Sequence, residues 1–173
     1  MKQIQIRNVE EIEPYEEKLR ESAEKARGQL AEILQGEGGI RLISRIKFEK
    51  IGFDPLDPER ALNLIEQVNQ TCTYLASLKA VRALISLHPD MQGYHLNLGT
   101  TSGTDIESLD GSIATEVFAA TSPKSNRKLQ RDMEKVRAVK AAHKYVFFAC
   151  PGIPEGRYEV AGEGEVVAWS VGR

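Results

Sequence analysis

The dipeptide Asp110-Gly111 stands between two short strand-like runs, 104–109 and 112–120. An Asp-Gly pair so placed is a strong local signal for a β-hairpin with a two-residue turn. It also sets a register: Leu109 faces Ser112, Glu107 faces Ala114, and Asp105 faces Glu116. Directly opposed residues on antiparallel neighbours share a face, with Cβ atoms about 4.5–5.5 Å apart. Two carboxylates would then stand side by side near the edge of an otherwise apolar hairpin. Like charges destabilise such a pair, and a divalent cation between them removes the conflict. Mg²⁺ is held in this way by one or two carboxylates, with waters and phosphate oxygens completing its shell. Glu107 lies on the face of Asp105 and would assist or be solvated. The bland alternative makes Asp105 and Glu116 exposed polar residues of a half-buried strand. A one-residue slip would put them on opposite faces.

The rest of the chain reads as mixed α/β. Residues 2–6 alternate as a short edge strand. From Pro14 to Gln35, Tyr15, Leu19, Ala23, Ala26, Leu30 and Ile33 recur at helical steps, and Gly36 to Gly39 would end that helix. This narrow stripe would pack on the body of the protein or on a partner helix. Ile40, Leu42, Ile46 and Phe48 alternate with polar residues and predict a half-exposed strand. Asp57 before Pro58 predicts the N-cap of a helix running to Leu87, with Leu62, Ile65, Val68, Cys72, Leu75, Ala76 and Leu84 inward. A strand at 94–98, a turn at 99–103, the hairpin, a helix from Pro123 to Ala142 and a strand at 145–149 follow. The tail would close as a hairpin of 158–160 against 166–169. Residues 1–36 are expected as an N-terminal strand and helix extension and 37–173 as the main α/β domain, one compact domain overall.

The 173 residues carry 23 Lys plus Arg against 25 Asp plus Glu, a net charge of −2. That balance excludes a protein that coats nucleic acid by bulk charge. It is nevertheless an average of opposed regions: residues 10–24 hold seven glutamates, and 124–144 hold eight Lys or Arg against Asp132 and Glu134. Lys124, Arg127, Lys128, Arg131 and Lys135 would form a basic stripe opposite Leu129, Met133 and Val136. Cations at a helix start oppose the helix dipole, so their position beside two carboxylates suits a substrate that brings phosphates. Cys72 and Cys150 lack metal-site spacing and read as reduced core residues. His88, His95 and His143 show no ligand spacing, and Ser102, Ser108 and Ser122 no nearby base. The first ten residues have no signal-peptide core and no apolar run is long enough to span a bilayer, so a cytoplasmic protein without a membrane partner is expected.

The order helix, strand, strand with Asp, strand with Glu, helix, strand over about 58–150 resembles the core of the PD-(D/E)xK nuclease superfamily. The specific part is Gly103-Thr104-Asp105-Ile106-Glu107, then Ala114-Thr115-Glu116-Val117-Phe118-Ala119-Ala120, the basic helix and Tyr145-Val146-Phe147-Phe148. The resemblance implies a restriction-endonuclease-like mixed sheet flanked by helices. It implies Mg²⁺ or Mn²⁺ held by Asp105, Glu116 and the Val117 carbonyl. The family's lysine would stand two residues after the glutamate, where this chain has Phe118. Lys124 or Lys128 from the following helix would supply it. The expected function is a metal-dependent nuclease on DNA, or less readily RNA, with Arg127, Arg131 and Lys135 on the backbone. The alternative is a catalytically degenerate nuclease-fold module for nucleic-acid or protein binding. Helix 14–35 would serve a homodimer or a protein partner.

Overall fold

The computed structural model describes residues 2–35, 38–98, 103–160 and 164–172. The chain is a mixed α/β protein. Its contacts group it into two units, 1–12 with 76–173, and 13–75, a division distinct from the 36/37 boundary suggested by composition.

The first unit is built on a seven-stranded sheet. Its strands are β1 (Lys2–Ile6), β4 (Tyr94–Leu98), β5 (Ile106–Ser108), β6 (Ile113–Ala119), β7 (His143–Ala149), β8 (Gly156–Arg157) and β9 (Val166–Ser170). They lie in the order β1-β4-β5-β6-β7-β9-β8, with β2 and β3 elsewhere. β6, β7 and β9 run parallel, and the remaining pairs are antiparallel. β4 and β9 alternate buried and half-buried residues, whereas β6 and β7 are buried almost throughout. Such continuous burial marks central strands covered on both faces.

Parallel β6 and β7 need a crossover, and α4 (Lys128–Arg137) supplies it. It buries Leu129, Met133 and Val136 against Ala114, Phe118, Val146, Phe148, Val166 and Ala168 of the sheet. Each such side chain contributes about 1.5–3 kcal/mol. The helix is shorter than the 123–142 expected. A 3-10 turn, Ser125–Arg127, precedes it, and Asn126 and Arg127 adopt left-handed φ of 50° and 55°. On this side of the sheet the even-numbered residues of β6 and β7 point at α4. The C-terminal part of the long helix α3 (Leu64–Leu87) belongs to this unit, and Tyr94 donates its hydroxyl to the Leu84 carbonyl at 3.0 Å.

The second unit holds α1 (Glu13–Leu34), α2 (Gly39–Phe48), the hairpin β2 (Gly52–Asp54) with β3 (Asp57–Leu62), and the first half of α3. Three expectations change here. Residues 39–48 form a helix, not a strand: Leu42, Ile43 and Ile46 follow i, i+1, i+4 steps that a period-two pattern must skip. Asp57 opens a strand and does not cap a helix, because buried Asp54 organises the turn. Asp54 accepts from the Leu56 amide at 3.0 Å, from Tyr74 at 3.0 Å and from Arg60 at 3.2 Å. Asn63 caps α3 instead, accepting from the Glu66 amide at 2.8 Å while Glu66 accepts from the Asn63 amide at 3.3 Å. The buried stripe of α3 is accordingly Leu64, Gln67, Tyr74, Leu78 and Val81, and Ile65, Val68, Cys72 and Leu75 are exposed. Cys72 is therefore a free surface thiol, and Cys150 a free core one.

The tail hairpin forms two residues earlier than expected, pairing Gly156 with Ser170 and Arg157 with Trp169. α1 ends at Leu34, and of the helix stop read at 36–39 Gly38 and Gly39 open α2 while 36–37 lie outside the described residues, as do 99–102 of the turn read at 99–103, Ser102 among them. Among the described residues, no helix is long and apolar enough to cross a membrane.

Candidate active site on the β5–β6 hairpin

The hairpin takes the expected register, with Ile106 opposite Thr115 and Glu107 opposite Ala114. Its turn is longer than the two-residue loop expected, because it begins at Ser108. Only Gly111 (φ +72°) is left-handed, and its amide donates to the Ser108 carbonyl at 3.0 Å. Asp110 lies within this turn and closes it with its side chain, accepting from the hydroxyls of Ser108 and Ser112 at 2.6 and 2.7 Å and from the Ser112 amide at 3.0 Å. These donors hold its carboxyl down at about 2. The turn is thus a rigid end to the hairpin.

At the other end, Asp105 lies one step beyond the ladder. Its carbonyl accepts from the Asn97 amide at 2.8 Å, and its Oδ2 accepts from the Val117 amide at 2.7 Å. The N–H and C=O of one strand residue point to the same neighbouring strand, so the Val117 carbonyl also faces this edge. Glu116 follows on the α4 side of β6, between Ala114 and Phe118, and is only 3% exposed. Burial, then the neighbouring Asp105 charge, push its carboxyl up to about 7, against the pull of Lys135. Burial also raises Asp105, opposed by the Val117 amide, Lys135 and Lys128. Glu107 turns away from the pair, accepting from the Thr104 hydroxyl at 2.9 Å and amide at 3.3 Å.

The cations arrive from α4. Lys135 places its ammonium 2.7 Å from Glu116 Oε1, as an ion pair off the hydrogen-bond direction, and remains half exposed. Lys128 donates to Asp132 Oδ1 at 2.7 Å, and its ammonium lies 5.9 Å from the centre of the Phe118 ring. Lys124, Arg127 and Arg131 are exposed. The five-residue basic stripe therefore divides into two lysines turned to carboxylates and three outward cations, of which Lys124 and Arg127 precede the helix. Phe118 is a core residue, stacked on Phe148 with ring centres 5.7 Å apart.

Asp132 was not singled out in the sequence, although its position announces it. It falls at i+3 from Leu129 and i−4 from Val136, inside the apolar stripe of α4. It is buried, its Oδ2 has no hydrogen-bond partner, and burial raises its carboxyl against the pull of Lys128. It also feels Asp105 and Glu116 electrostatically. On the opposite sheet face, spacing hid a second cluster. The His88 and His143 rings come within 4.7 Å, and His88 Nε2 stands 2.8 Å from the Tyr145 hydroxyl.

Three carboxylates and two ammonium groups thus influence one another electrostatically around α4, leaving one negative charge over. A proton on Glu116 or a cation neutralises it. Among the described residues, no three His, Cys, Asp or Glu side chains are grouped to cage a metal ion. The donor set is hard oxygen from Asp105 and Glu116, which fits Mg²⁺ completed by water and phosphate. It does not fit a metal held by protein alone. No family model, no curated protein and no solved structure matches the chain.

Proposed function

We propose that the chain is a metal-dependent phosphodiesterase acting on nucleic acid, DNA before RNA, within a restriction-endonuclease-like domain. The observation that carries this reading is the carboxylate excess: half-buried Asp105 beside buried Glu116, with Lys135 in ion-pair contact with Glu116 alone. A purely structural hairpin gains nothing from that placement, because unpaired buried charge is costly.

Asp105, Glu116 and the Val117 carbonyl would hold Mg²⁺ or Mn²⁺. The metal, when bound, supplies a water of lowered pKa and stabilises charge on phosphate oxygens. The Val117 amide donates to Asp105 Oδ2 and favours its ionised form against the burial that raises it. Lys135 is the group placed to meet a non-bridging phosphate oxygen and the attacking water, the role that Phe118 cannot fill. Lys128 is engaged by Asp132 of its own helix, and Lys124 is the outlying alternative. Arg127 and Arg131 face outward and would clamp the backbone without reading sequence.

A second reading is supported by the Lys135–Glu116 and Lys128–Asp132 pairs: with one proton on Glu116, the cluster is neutral without metal. The protein would then be a nuclease-fold binding module. Calorimetric titration of Mg²⁺ into wild type and Glu116→Ala, followed by incubation with plasmid and single-stranded DNA, separates the two. Metal uptake that requires Glu116, with cleavage, supports the enzyme. Uptake without cleavage supports the binding module. No uptake and no cleavage refute the enzyme.

A further inference from the structure

The sheet face that carries the candidate site is only half covered. α4 packs on β6, β7 and β9, and beneath it Glu116 is only 3% exposed. Asp105, one step before β5, is half-buried. From this pair the same face continues over β5, β4 and β1, beyond the reach of α4. A strand whose phosphate sits at the pair therefore lays its neighbouring nucleotides over these strands.

That half of the face is polar without being cationic. Gln3 and Gln5 of β1 are exposed, and His95 and Asn97 of β4 and Glu107 of β5 are half-buried. Their alternate neighbours Ile4, Ile6, Leu96 and Ile106 are buried on the other face. The register aligns Gln3, Asn97 and Asp105 in one row leading to Glu116, and Gln5, His95 and Glu107 in the next. Gln3 Nε2 donates to Asn97 Oδ1 at 2.8 Å, and Asn97 Nδ2 to the Thr104 carbonyl at 2.7 Å. Those bonds use only part of what each amide offers. Gly103, at φ +109°, adds no side chain beside them; a Cβ there would stand 3.3 Å from Glu107 Oε1 and 3.8 Å from Asn97 Nδ2.

None of the five is Lys or Arg, and Arg7, past the end of β1, meets Gln5 at the corner diagonal to the site. Phosphates would find no counter-charge in the rows, and Glu107 would repel them. Bases would find amides, a carboxylate and an imidazole, groups that bind base edges and faces. The phosphates belong instead along α4, with Lys135 and Arg131. Shape decides which bases can enter. Three strands make a shelf roughly 10–14 Å wide, and α4 stands beside it by a helix diameter of about 10–12 Å. Duplex bases are reached only through grooves, by an element that protrudes into them. A recessed shelf reaches bases only when they are unpaired and turned out of the stack.

We propose that Gln3, Gln5, His95, Asn97 and Glu107 receive unpaired bases beside the scissile phosphate, so that the substrate is a single strand or an opened stretch of duplex. The inference rests on the reading of Asp105 and Glu116 as the place where the phosphodiester sits.

Fluorescence anisotropy tests it with a short labelled single strand and the matching duplex, in chelator, over several ionic strengths. The variants are Gln3→Ala, at an exposed position outside the metal site, and His95→Ala, each checked by circular dichroism. Wild type should bind the single strand more tightly than the duplex. Each variant should weaken single-strand binding by roughly five- to tenfold at every salt concentration. The salt slope should stay unchanged, because the lost contacts are not ionic. Variants that bind the single strand as wild type does, a changed slope, or a wild type that prefers duplex or binds neither would each overturn the proposal. Cutting of the same strand in Mg²⁺ is scored separately. The expected binding pattern without cutting supports the shelf and refutes the enzyme. Cutting with variants that bind like wild type refutes the shelf and leaves the enzyme standing.

Discussion

In the sheet unit, carboxylates go where hydrophobic side chains belong; in the unit 13–75, hydrophobic side chains stay where charge belongs. Glu116 beneath α4 and Asp132 on its buried face lie with Phe118, Leu129 and Met133, whereas Ile40, Ile43 and Phe48 stand on a helix that buries nothing. Both arrangements cost free energy, but they differ in what would recover it. Buried like charges are relieved by a cation or a proton, so the first unit's imbalance is met by something small and positive. Exposed apolar ridges are relieved only by another surface.

The largest expected effect lies in the first unit. Asp105→Ala or Glu116→Ala should lower DNA cleavage by ~10³-fold or more, as expected when the group holding a catalytic metal is removed. Lys135→Ala should cost roughly 10²–10³-fold, the usual loss for one preorganised charge donor. Lys128→Ala and Lys124→Ala should each cost less than about tenfold, since neither touches Glu116 or Asp105; a larger loss at either would return the lysine role to it. Initial rates on one plasmid substrate rank all five.

A stability measurement separates proton from cation. The Glu116 carboxyl is raised from 4.5 to about 7 by burial and by Asp105. The folded state therefore binds the extra proton, and this stabilisation is full below about 4.5 and lost as pH rises through about 7. Glu116→Gln keeps the neutral form at every pH. By urea unfolding it should exceed wild type by on the order of 1–2 kcal/mol at pH 8, and the gap should close toward pH 5. For the same reason Mg²⁺ affinity should rise with pH through about 7. A gap independent of pH would mean that Glu116 is ionised and fully satisfied by Lys135 alone.

Smaller effects mark the outer surfaces. Arg131→Ala should weaken DNA binding uniformly across sequences and reduce the salt slope by about one counterion, measured by fluorescence anisotropy at several ionic strengths. Smallest of all, Ile43→Glu should change the unfolding free energy of the isolated chain by less than about 0.5 kcal/mol, because it touches no core. A large loss there would show that α2 is structural and dissolve the contrast between the units.

Much of the sheet unit was legible because its signals are local. Asp110-Gly111 fixed the β5–β6 register, and alternation gave β1 and β4. The lysine was not legible, since Lys124, Lys128 and Lys135 share a helical stripe and only the start of α4 at Lys128 decides which one reaches Glu116. Asp132 was readable from its place in the Leu129–Val136 stripe, yet a carboxylate among eight bases reads as surface. The unit 13–75 misled for a different reason. Its apolar residues do not all face its own core, so Ile40–Phe48 passed for a strand and Ile65–Leu75 for a buried face. Patterning reports which residues avoid water, not whether the chain itself shelters them.

The central claim is that the Asp105–Glu116 pair, served by Lys135, cleaves a phosphodiester. The direct test is nicking of supercoiled plasmid in Mg²⁺ by wild type and by Lys135→Ala side by side. The account predicts chelator-sensitive nicking by wild type and a loss of at least about 10²-fold in the variant. Equal rates in the two, or no nicking by either, would contradict it.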